Sequence, residues 1–194
     1  MEGVIRTRVG YAGGTTAAPT YYNIGDHSET VAVEYDPSVV SYQQLLTAFW
    51  SGHDITSQPY SEQYRSAIFY TNEEQHKLAI ESRQAEEARL GKTVYTGIEP
   101  FTAFYVAEDY HQKYYLKLRH DVVDTLYKIY PEPESFRDST AIARLNGYAG
   151  GFGDLDTLKK NLDTFGLSES GKSSLLRIAE AGLTPACPVA APKG

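Results

Sequence analysis

The pentapeptide Gly-Tyr-Ala-Gly-Gly occurs twice in this chain of 194 residues, at Gly10 to Gly14 and again at Gly147 to Gly151. In a duplicated fold the flanking segments would match as well, since each repeat is a whole supersecondary unit. They do not match, because a Thr/Pro/Tyr loop follows the first copy and "FGDLDTLKK" follows the second. The glycine spacing also differs from that of phosphate-binding loops. The repeat is therefore local, and we expect one principal domain with an appendage.

The order of the predicted elements indicates an α+β fold. Alternation of apolar and polar residues predicts strands at "VIRTRVGY", "ETVAVEY" and "RSAIFY", with one or two more in "TVYTGIEPFTAFYVAED". Helical spacing predicts one helix behind a Ser41 cap. A second helix is expected behind a capping box of Thr71 and Glu74, ending at Gly91. A Tyr-rich helical stretch follows, so we expect a mixed or antiparallel sheet packed with helices.

The paired prolines of "PEPES", residues 131–135, mark the predicted domain boundary because proline cannot continue a helix. We expect the main domain at residues 1–130 and an extension of three short helices at residues 131–183. Residues 184–194 are small and Pro-rich, which predicts a flexible tail.

Charge and cysteine content argue against several classes of function. The net charge of −7 argues against nucleic acid and anionic membranes as partners, since both require a basic face. The sequence contains no run of about 18 uncharged apolar residues that could span a membrane. Cys187 is the single cysteine, so no intramolecular disulfide can form, and we expect a reducing compartment, the cytoplasm.

The loop after the first pentapeptide holds the densest cluster of polar side chains: Tyr21, Tyr22, Asn23, Asp26, His27 and Glu29. Imidazole and carboxylate groups bind zinc or iron, so a metal site could form from His27, Glu29, His53, Asp54 and His111. The histidine spacings match no zinc-binding motif, which makes a metal site the weaker hypothesis.

Four blocks of the sequence resemble consecutive segments of the A-type peptide methionine sulfoxide reductases: "GVIRTRVGYAGG", "PTYYNIGDHSETVAVEYDPSVVSYQQLLTAFWSGHD", "QYRSAIFY" and "AEDYHQKYY". The similarity runs in unbroken order over residues 3–118. It implies a two-layer sandwich of a mixed sheet with helices, built on a ferredoxin-like core. The region beyond Pro131 resembles a small helical C-terminal extension that some relatives carry.

The resemblance implies reduction of the S epimer of methionine sulfoxide in proteins and peptides, a repair reaction under oxidative stress. In the family, a cysteine thiolate attacks the sulfoxide sulfur while a buried, protonated glutamate gives its proton to the oxygen. That glutamate corresponds to Glu29, the assisting tyrosines to Tyr21 and Tyr64, and His27 belongs to the same substrate-binding motif. Burial raises the pKa of a carboxyl, which lets it act as a general acid near neutral pH. The resemblance implies no bound cofactor, and thioredoxin or another dithiol as external reductant and partner.

The family's nucleophile lies in a Gly-Cys-Phe-Trp block, which this sequence does not contain. Cys187 has no neighbouring cation or helix N-terminus to lower its pKa, so we do not expect it to replace that nucleophile. Three hypotheses stay open. The chain is a reductase that lacks its N-terminal segment, a catalytically inactive binding protein with the reductase fold, or a protein with metal-assisted chemistry.

Overall fold

The structure is a computed structural model that describes residues 1–181. Its strands are β1 (Val4–Ala12), β2 (Ser28–Tyr35), β3 (Ala67–Tyr70), β4 (Gly97–Pro100) and β5 (Phe104–Val106). Its α-helices are α1 (Tyr42–Ser51), α2 (Glu73–Leu90), α3 (Tyr114–Lys117), α4 (His120–Ile129), α5 (Pro133–Asp138), α6 (Thr140–Ala149), α7 (Leu155–Asn161) and α8 (Glu169–Glu180). Short 3-10 helices lie at Asp109–His111 and Leu162–Phe165. The predicted α+β class is confirmed.

The described strands form two small sheets. One sheet has the order β2-β1-β5, and β1 pairs antiparallel with β5 so that Gly10 lies opposite Val106. The other sheet pairs β3 parallel with β4, with Ala67 opposite Gly97. Parallel neighbours need a crossover connection, and α2 supplies it between these two strands. The sequence analysis expected a single sheet, whereas the strands within residues 1–181 form two separate sheets.

Capping side chains set where the two long predicted helices begin. Ser41 caps α1 as expected, and its hydroxyl accepts from the backbone N–H of Gln44 at 3.2 Å. The predicted Thr71 and Glu74 box is wrong, because Asn72 is the cap of α2 and its side chain accepts from Gln75 N–H at 2.9 Å. The helix ends at Gly91 as predicted, in the left-handed conformation with φ 62°. None of the helices in residues 1–181 has the length and apolar character to cross a membrane.

The chain packs into two compact units. The first, here called the site unit, comprises Val9–Ala32 and Pro37–Glu108. The second, the helical unit, comprises Met1–Arg8, Val33–Asp36 and the chain from Asp109 onward. The core of the site unit consists of Leu46, Trp50, Ile55, Ile68, Ala79 and Val94.

The helical unit has a larger core that joins the Tyr-rich stretch to the C-terminal extension. Its fully buried members include Leu116, Val122, Leu126, Ile142, Leu145, Leu158 and Leu175. Because α3 and α4 share this core with the extension, the border between the compact units falls near Asp109. The division at residues 130 and 131 stays a prediction. The described extension has four α-helices rather than three, since Ser139 caps α6 and separates it from α5. The predicted tail and Cys187 lie outside the described residues.

The second pentapeptide forms the end of α6. Gly147 to Ala149 are helical, and Gly150 lies against the ring of Tyr115, where a Cβ would come within 2.7 Å of the ring. The side chain of Asn146, just before the pentapeptide, accepts from the Leu116 N–H at 3.1 Å. This copy therefore allows close packing of α6 on α3.

Lys113 is a buried cation in the helical unit. Lys113 is the N-cap residue of α3 and has a left-handed backbone conformation, with φ 55°. The residue as a whole is only 4% exposed. Its Nζ donates to the Thr7 carbonyl at 2.6 Å and to the Thr7 hydroxyl at 3.0 Å. Burial lowers the pKa of Lys113 to about 8, and Asp138 opposes this effect while Arg137, Arg8 and Lys117 add to it. The Lys113 side chain therefore connects Thr7, in the middle of β1, to the start of α3.

Candidate active site

The first pentapeptide forms the end of β1 and the turn that leads into the polar loop. Gly13 has φ 82°, and a Cβ there would lie 2.5 Å from the ring of Phe69. A Cβ on Gly14 would lie 2.7 Å from the imidazole of His27. These glycines allow the turn to pass directly beneath the loop that carries the candidate site.

Asp26 and His27 brace this loop from within. The Asp26 carboxylate accepts from the backbone N–H groups of Thr15 and Thr16, at 2.8 and 3.0 Å, and from both hydroxyls at 2.8 Å. These hydrogen bonds, first among them that of the Thr16 N–H, hold the pKa of Asp26 well below its usual range. The Asp26 carboxylate therefore holds the start of the loop, at Thr15 and Thr16, against the end of the loop.

His27 is buried, and both of its ring nitrogens have partners. Nδ1 accepts from the Gly14 N–H at 3.1 Å, so the neutral ring carries its proton on Nε2, which lies 2.8 Å from the Thr16 carbonyl. A hydrogen bond from this ring to substrate would break one of these bonds. The geometry supports a bracing role for His27, and its contact with substrate stays a prediction.

Tyr21 is positioned by a carboxylate that the sequence did not single out. The Glu108 Oε1 accepts from the backbone N–H of Tyr21 at 3.0 Å, and its Oε2 accepts from the Tyr11 hydroxyl at 2.6 Å. Tyr11, the aromatic residue of the first pentapeptide, is 1% exposed. Glu108, in the polar block "AEDYH", thus connects Tyr11 of the pentapeptide to the backbone of Tyr21 in the candidate site.

Glu29 lies at the start of β2 beside the segment that carries Tyr64. Its backbone N–H donates to the Gln63 carbonyl at 2.9 Å, and its carboxylate accepts from the Gln63 side chain at 2.8 Å. The side chain of Glu29 is exposed, so the expectation of a buried carboxyl is wrong for the structure described. The alternation of β2 explains this, because it buries Ser28 and turns Glu29 to the opposite, open face.

Tyr64 brings the three predicted residues together. Its hydroxyl hydrogen-bonds with Tyr21, and this bond, burial and the charge of Glu29 raise the pKa of Tyr64 to about 12. The hydroxyl therefore stays protonated and able to donate throughout the neutral range. The ring of Tyr60 lies 5.4 Å from the Tyr64 ring, centroid to centroid. Residues far apart in sequence thus form one cluster of two phenols and a carboxylate.

Arg65 fixes the segment behind this cluster. Its guanidinium forms a bidentate pair with Glu99 of β4, with Nη2 at 2.8 Å, and its Nε donates to the Ser28 hydroxyl at 2.8 Å. The Ser28 hydroxyl in turn donates to the Glu62 carbonyl at 2.8 Å. The pair raises the pKa of Arg65 and lowers that of Glu99. No local sequence pattern links residues 65 and 99, so only the fold reveals the pair.

The candidate metal ligands are not assembled in the part of the chain that the structure describes. Residues 1–181 contain no group of three or more His, Cys, Asp or Glu side chains suited to a metal ion. His53 instead lies 2.8 Å from the Ser66 hydroxyl, and Asp54 accepts from Thr56 and Ser57. Burial lowers the pKa of His53, which keeps this imidazole neutral.

The fold and the cluster define a member of a known enzyme family. The family model described as "Peptide methionine sulfoxide reductase" matches residues 1–143, and the chain belongs to this family. The match includes β1 to β5 and every residue of the candidate site.

Individual relatives support the same assignment. A "Peptide methionine sulfoxide reductase" of Drosophila melanogaster is 39% identical over 169 residues, covering 86% of this chain and 68% of that protein. "Peptide methionine sulfoxide reductase A5" of Oryza sativa subsp. japonica is 44% identical over 155 residues, covering 77% and 60%. The solved structure of "Methionine sulfoxide reductase A of Corynebacterium diphtheriae" is 34% identical with a TM-score of 0.52, covering 59% of this chain and 64% of that one. The chain thus spans about two thirds or less of these relatives.

Proposed function

We propose that the cluster of Glu29, Tyr21 and Tyr64 binds methionine sulfoxide and serves its reduction to methionine in proteins and peptides. The observation that carries the proposal is the hydrogen-bonded pair of phenols, Tyr21 and Tyr64, next to an accessible carboxyl. One hydroxyl proton is used in the bond between the two phenols, so one hydroxyl can donate to a sulfoxide oxygen directly and the other can donate once that bond opens. Both donors suit an oxygen that gains negative charge as its bond to sulfur weakens. The S epimer is the substrate that the family resemblance favours.

Glu29 is the proton donor in this proposal. A bound substrate that covers the exposed carboxyl would exclude water from it, and an apolar, water-free surrounding favours the neutral, protonated acid over the carboxylate. Gln63 would keep the carboxyl oriented, since its side chain already donates to it at 2.8 Å. Overall, two thiols are oxidised to a disulfide, the sulfoxide is reduced to a thioether, and the oxygen leaves as water.

The attacking thiol does not belong to residues 1–181, because Cys187 is the single cysteine of the sequence. We propose that residues 1–181 supply recognition of the sulfoxide and the proton, and that a Gly-Cys-Phe-Trp segment supplies the nucleophile.

The proposed reductant is thioredoxin or another dithiol, and the proposal includes no bound cofactor. The proposed location is a reducing compartment such as the cytoplasm. For the arrangement of the elements we propose the two-layer sandwich with a ferredoxin-like core.

Binding tests the proposal without any need for a thiol. N-acetyl-methionine sulfoxide N-methylamide, as separate S and R epimers, is titrated into the chain and followed by NMR. We expect the S epimer to shift the resonances of Tyr21 and Tyr64 and the R epimer to bind more weakly. Tyr64→Phe should weaken binding about five- to tenfold, the effect of one lost hydrogen bond of roughly 1–1.4 kcal/mol. Tyr110→Phe, in the helical unit, is the matched control. Equal binding by Tyr64→Phe and the unmodified chain would contradict the proposal.

Activity tests the origin of the thiol. We expect no dithiothreitol-dependent reduction of a methionine sulfoxide peptide by the 194-residue chain. Turnover that disappears in Cys187→Ser would instead assign the thiol to Cys187. The DNA upstream of Met1 should be read for an in-frame Gly-Cys-Phe-Trp segment. Fusion of such a segment to the chain should give turnover that Glu29→Gln lowers by about 100-fold or more, the usual contribution of a general acid. Absence of the segment would favour an inactive binding protein.

A further inference from the structure

We propose that Tyr60 and Glu62 select substrates in which a lysine or arginine neighbours the methionine sulfoxide. This inference rests on the proposed function of the adjacent Tyr21, Glu29 and Tyr64 cluster and names the kind of peptide that this cluster receives.

The first observation is an exposed tyrosine surface beside the cluster. Tyr60 is 78% exposed and Tyr64 is 39% exposed, and their rings are tilted by 33° with centroids 5.4 Å apart. A large aromatic side chain held at the surface, with its ring close to a functional phenol, offers its face to a ligand. We call the two rings the tyrosine surface.

The second observation is the charge around the tyrosine surface. Glu62 lies two residues after Tyr60, and its side chain is 70% exposed. The exposed carboxylate of Glu29 lies close enough to Tyr64 to affect its titration. The neighbouring cation, Arg65, is engaged mainly with Glu99 in a bidentate pair and reaches Glu62 at 3.2 Å. Two carboxylates, those of Glu62 and Glu99, thus share the single positive charge of Arg65.

A cation suits this combination better than an anion or an apolar group. An ammonium or guanidinium group is attracted by the face of a tyrosine ring and by nearby carboxylates. The net charge of −7 of the whole chain adds a long-range attraction for cationic peptides. An acidic neighbour would instead be repelled by Glu62.

The spacing of the rings fits a neighbouring residue of the substrate. An extended peptide advances about 3.3–3.6 Å per residue. A sulfoxide side chain bound by Tyr21 and Tyr64 therefore places the side chain one or two residues away near Tyr60, whose ring centre is 5.4 Å from that of Tyr64. A lysine or arginine at that position can lie over the Tyr60 ring.

Peptide titrations test the inference with the full chain. The peptides carry methionine S-sulfoxide with lysine, norleucine or glutamate one or two residues before it, and a second set carries these residues one or two residues after it. We expect one lysine peptide to bind about three- to fivefold tighter than its norleucine counterpart, the effect of a cation and a ring at an exposed site. The glutamate peptide should bind more weakly than both. The lysine preference should shrink in about 0.5 M salt.

Variants assign the preference to its residues. Tyr60→Ala should abolish the preference for lysine, Tyr60→Phe should retain it, and Glu62→Gln should lower it about twofold. The exposure of Tyr60 makes its replacement compatible with folding, and Tyr110→Ala is the control. Equal affinity for lysine and norleucine peptides, with intact binding of N-acetyl-methionine sulfoxide N-methylamide, would overturn this inference alone. Loss of binding of that small ligand would overturn the proposed function.

Discussion

The Tyr11 hydroxyl donates a 2.6 Å hydrogen bond to Glu108, and the other oxygen of that carboxylate holds the backbone of Tyr21 at 3.0 Å. A carboxylate that accepts on both oxygens fixes two chain segments at once. The side chain of Glu108 therefore couples the end of β1 to the loop that presents Tyr21.

Glu108→Gln should weaken sulfoxide binding about three- to tenfold while the protein stays folded. The amide oxygen of glutamine can accept from Tyr21, and its NH₂ group can donate to the Tyr11 oxygen, but the charge that strengthens both bonds is lost. NMR titration with N-acetyl-methionine sulfoxide N-methylamide measures the affinity, and the chemical shifts of Tyr21 report its position. Unchanged affinity together with shifted Tyr21 resonances would show that the position of Tyr21 does not matter for binding.

Tyr64 should be among the last tyrosines to ionise. Its hydrogen bond with Tyr21 is the largest of the effects that raise its pKa to about 12, and Tyr21→Phe removes that bond. We expect the pKa of Tyr64 in this variant to fall toward the ordinary value of about 10. Titration of the ring carbon that bears the hydroxyl, by NMR, measures this directly. An unchanged pKa in Tyr21→Phe would mean that burial and the charge of Glu29, rather than the hydrogen bond, determine it.

The glycines of the second pentapeptide provide a matched pair of substitutions. A Cβ on Gly150 would meet the Tyr115 ring at 2.7 Å, whereas a Cβ on Gly147 would meet its nearest neighbour, the Phe152 carbonyl, at 3.8 Å. Gly150→Ala should lower the free energy of unfolding by about 1–3 kcal/mol. Gly147→Ala should raise it by about 0.5–1 kcal/mol, because alanine favours a helix interior. Urea denaturation of both variants gives the comparison, and equal effects would contradict the packing described for α6.

Lys113 should make stability depend on pH in the alkaline range. Its pKa is lowered to about 8 in the folded protein and is about 10.4 in an unfolded chain. Between these values the unfolded state binds more protons, so the contribution of Lys113 to stability rises with pH from about 8 to 10. Lys113→Met lacks this contribution. We expect the unmodified chain to gain roughly 2 kcal/mol relative to the variant over that interval, measured by urea denaturation. A constant difference would show an ordinary pKa for Lys113.

Much of the fold was predictable because local patterns encode it. The alternation in β1 and β2, the Ser41 cap of α1 and the Gly91 end of α2 each depend on neighbouring residues. The sequence did not predict that Asn72 rather than Thr71 caps α2, because both residue types cap helices and the backbone path decides between them. The shared core of α4 with the extension also depends on contacts between distant segments.

The residues of the candidate site were predictable from the resemblance to the reductase family, and not from local sequence patterns such as alternation or helix capping. Glu29, Tyr21 and Tyr64 lie in separate segments, and their proximity follows from the pairing of residues 28 and 29 with residues 62 and 63. The sequence did not reveal Glu108 or Arg65 as supports, since their partners are 87 and 34 residues away. It also gave the wrong exposure for Glu29, because which face of β2 is covered depends on tertiary packing.

The two copies of Gly-Tyr-Ala-Gly-Gly adopt different backbones, since Gly10 to Ala12 belong to a strand and Gly147 to Ala149 to a helix. Five identical residues therefore carry no fixed conformational meaning in this chain. A search keyed to this pentapeptide alone would return the end of α6 as a second reductase loop. An annotation procedure has to weigh the segment that follows, Thr15 to Glu29 after the first copy, before it transfers a role from one occurrence to another.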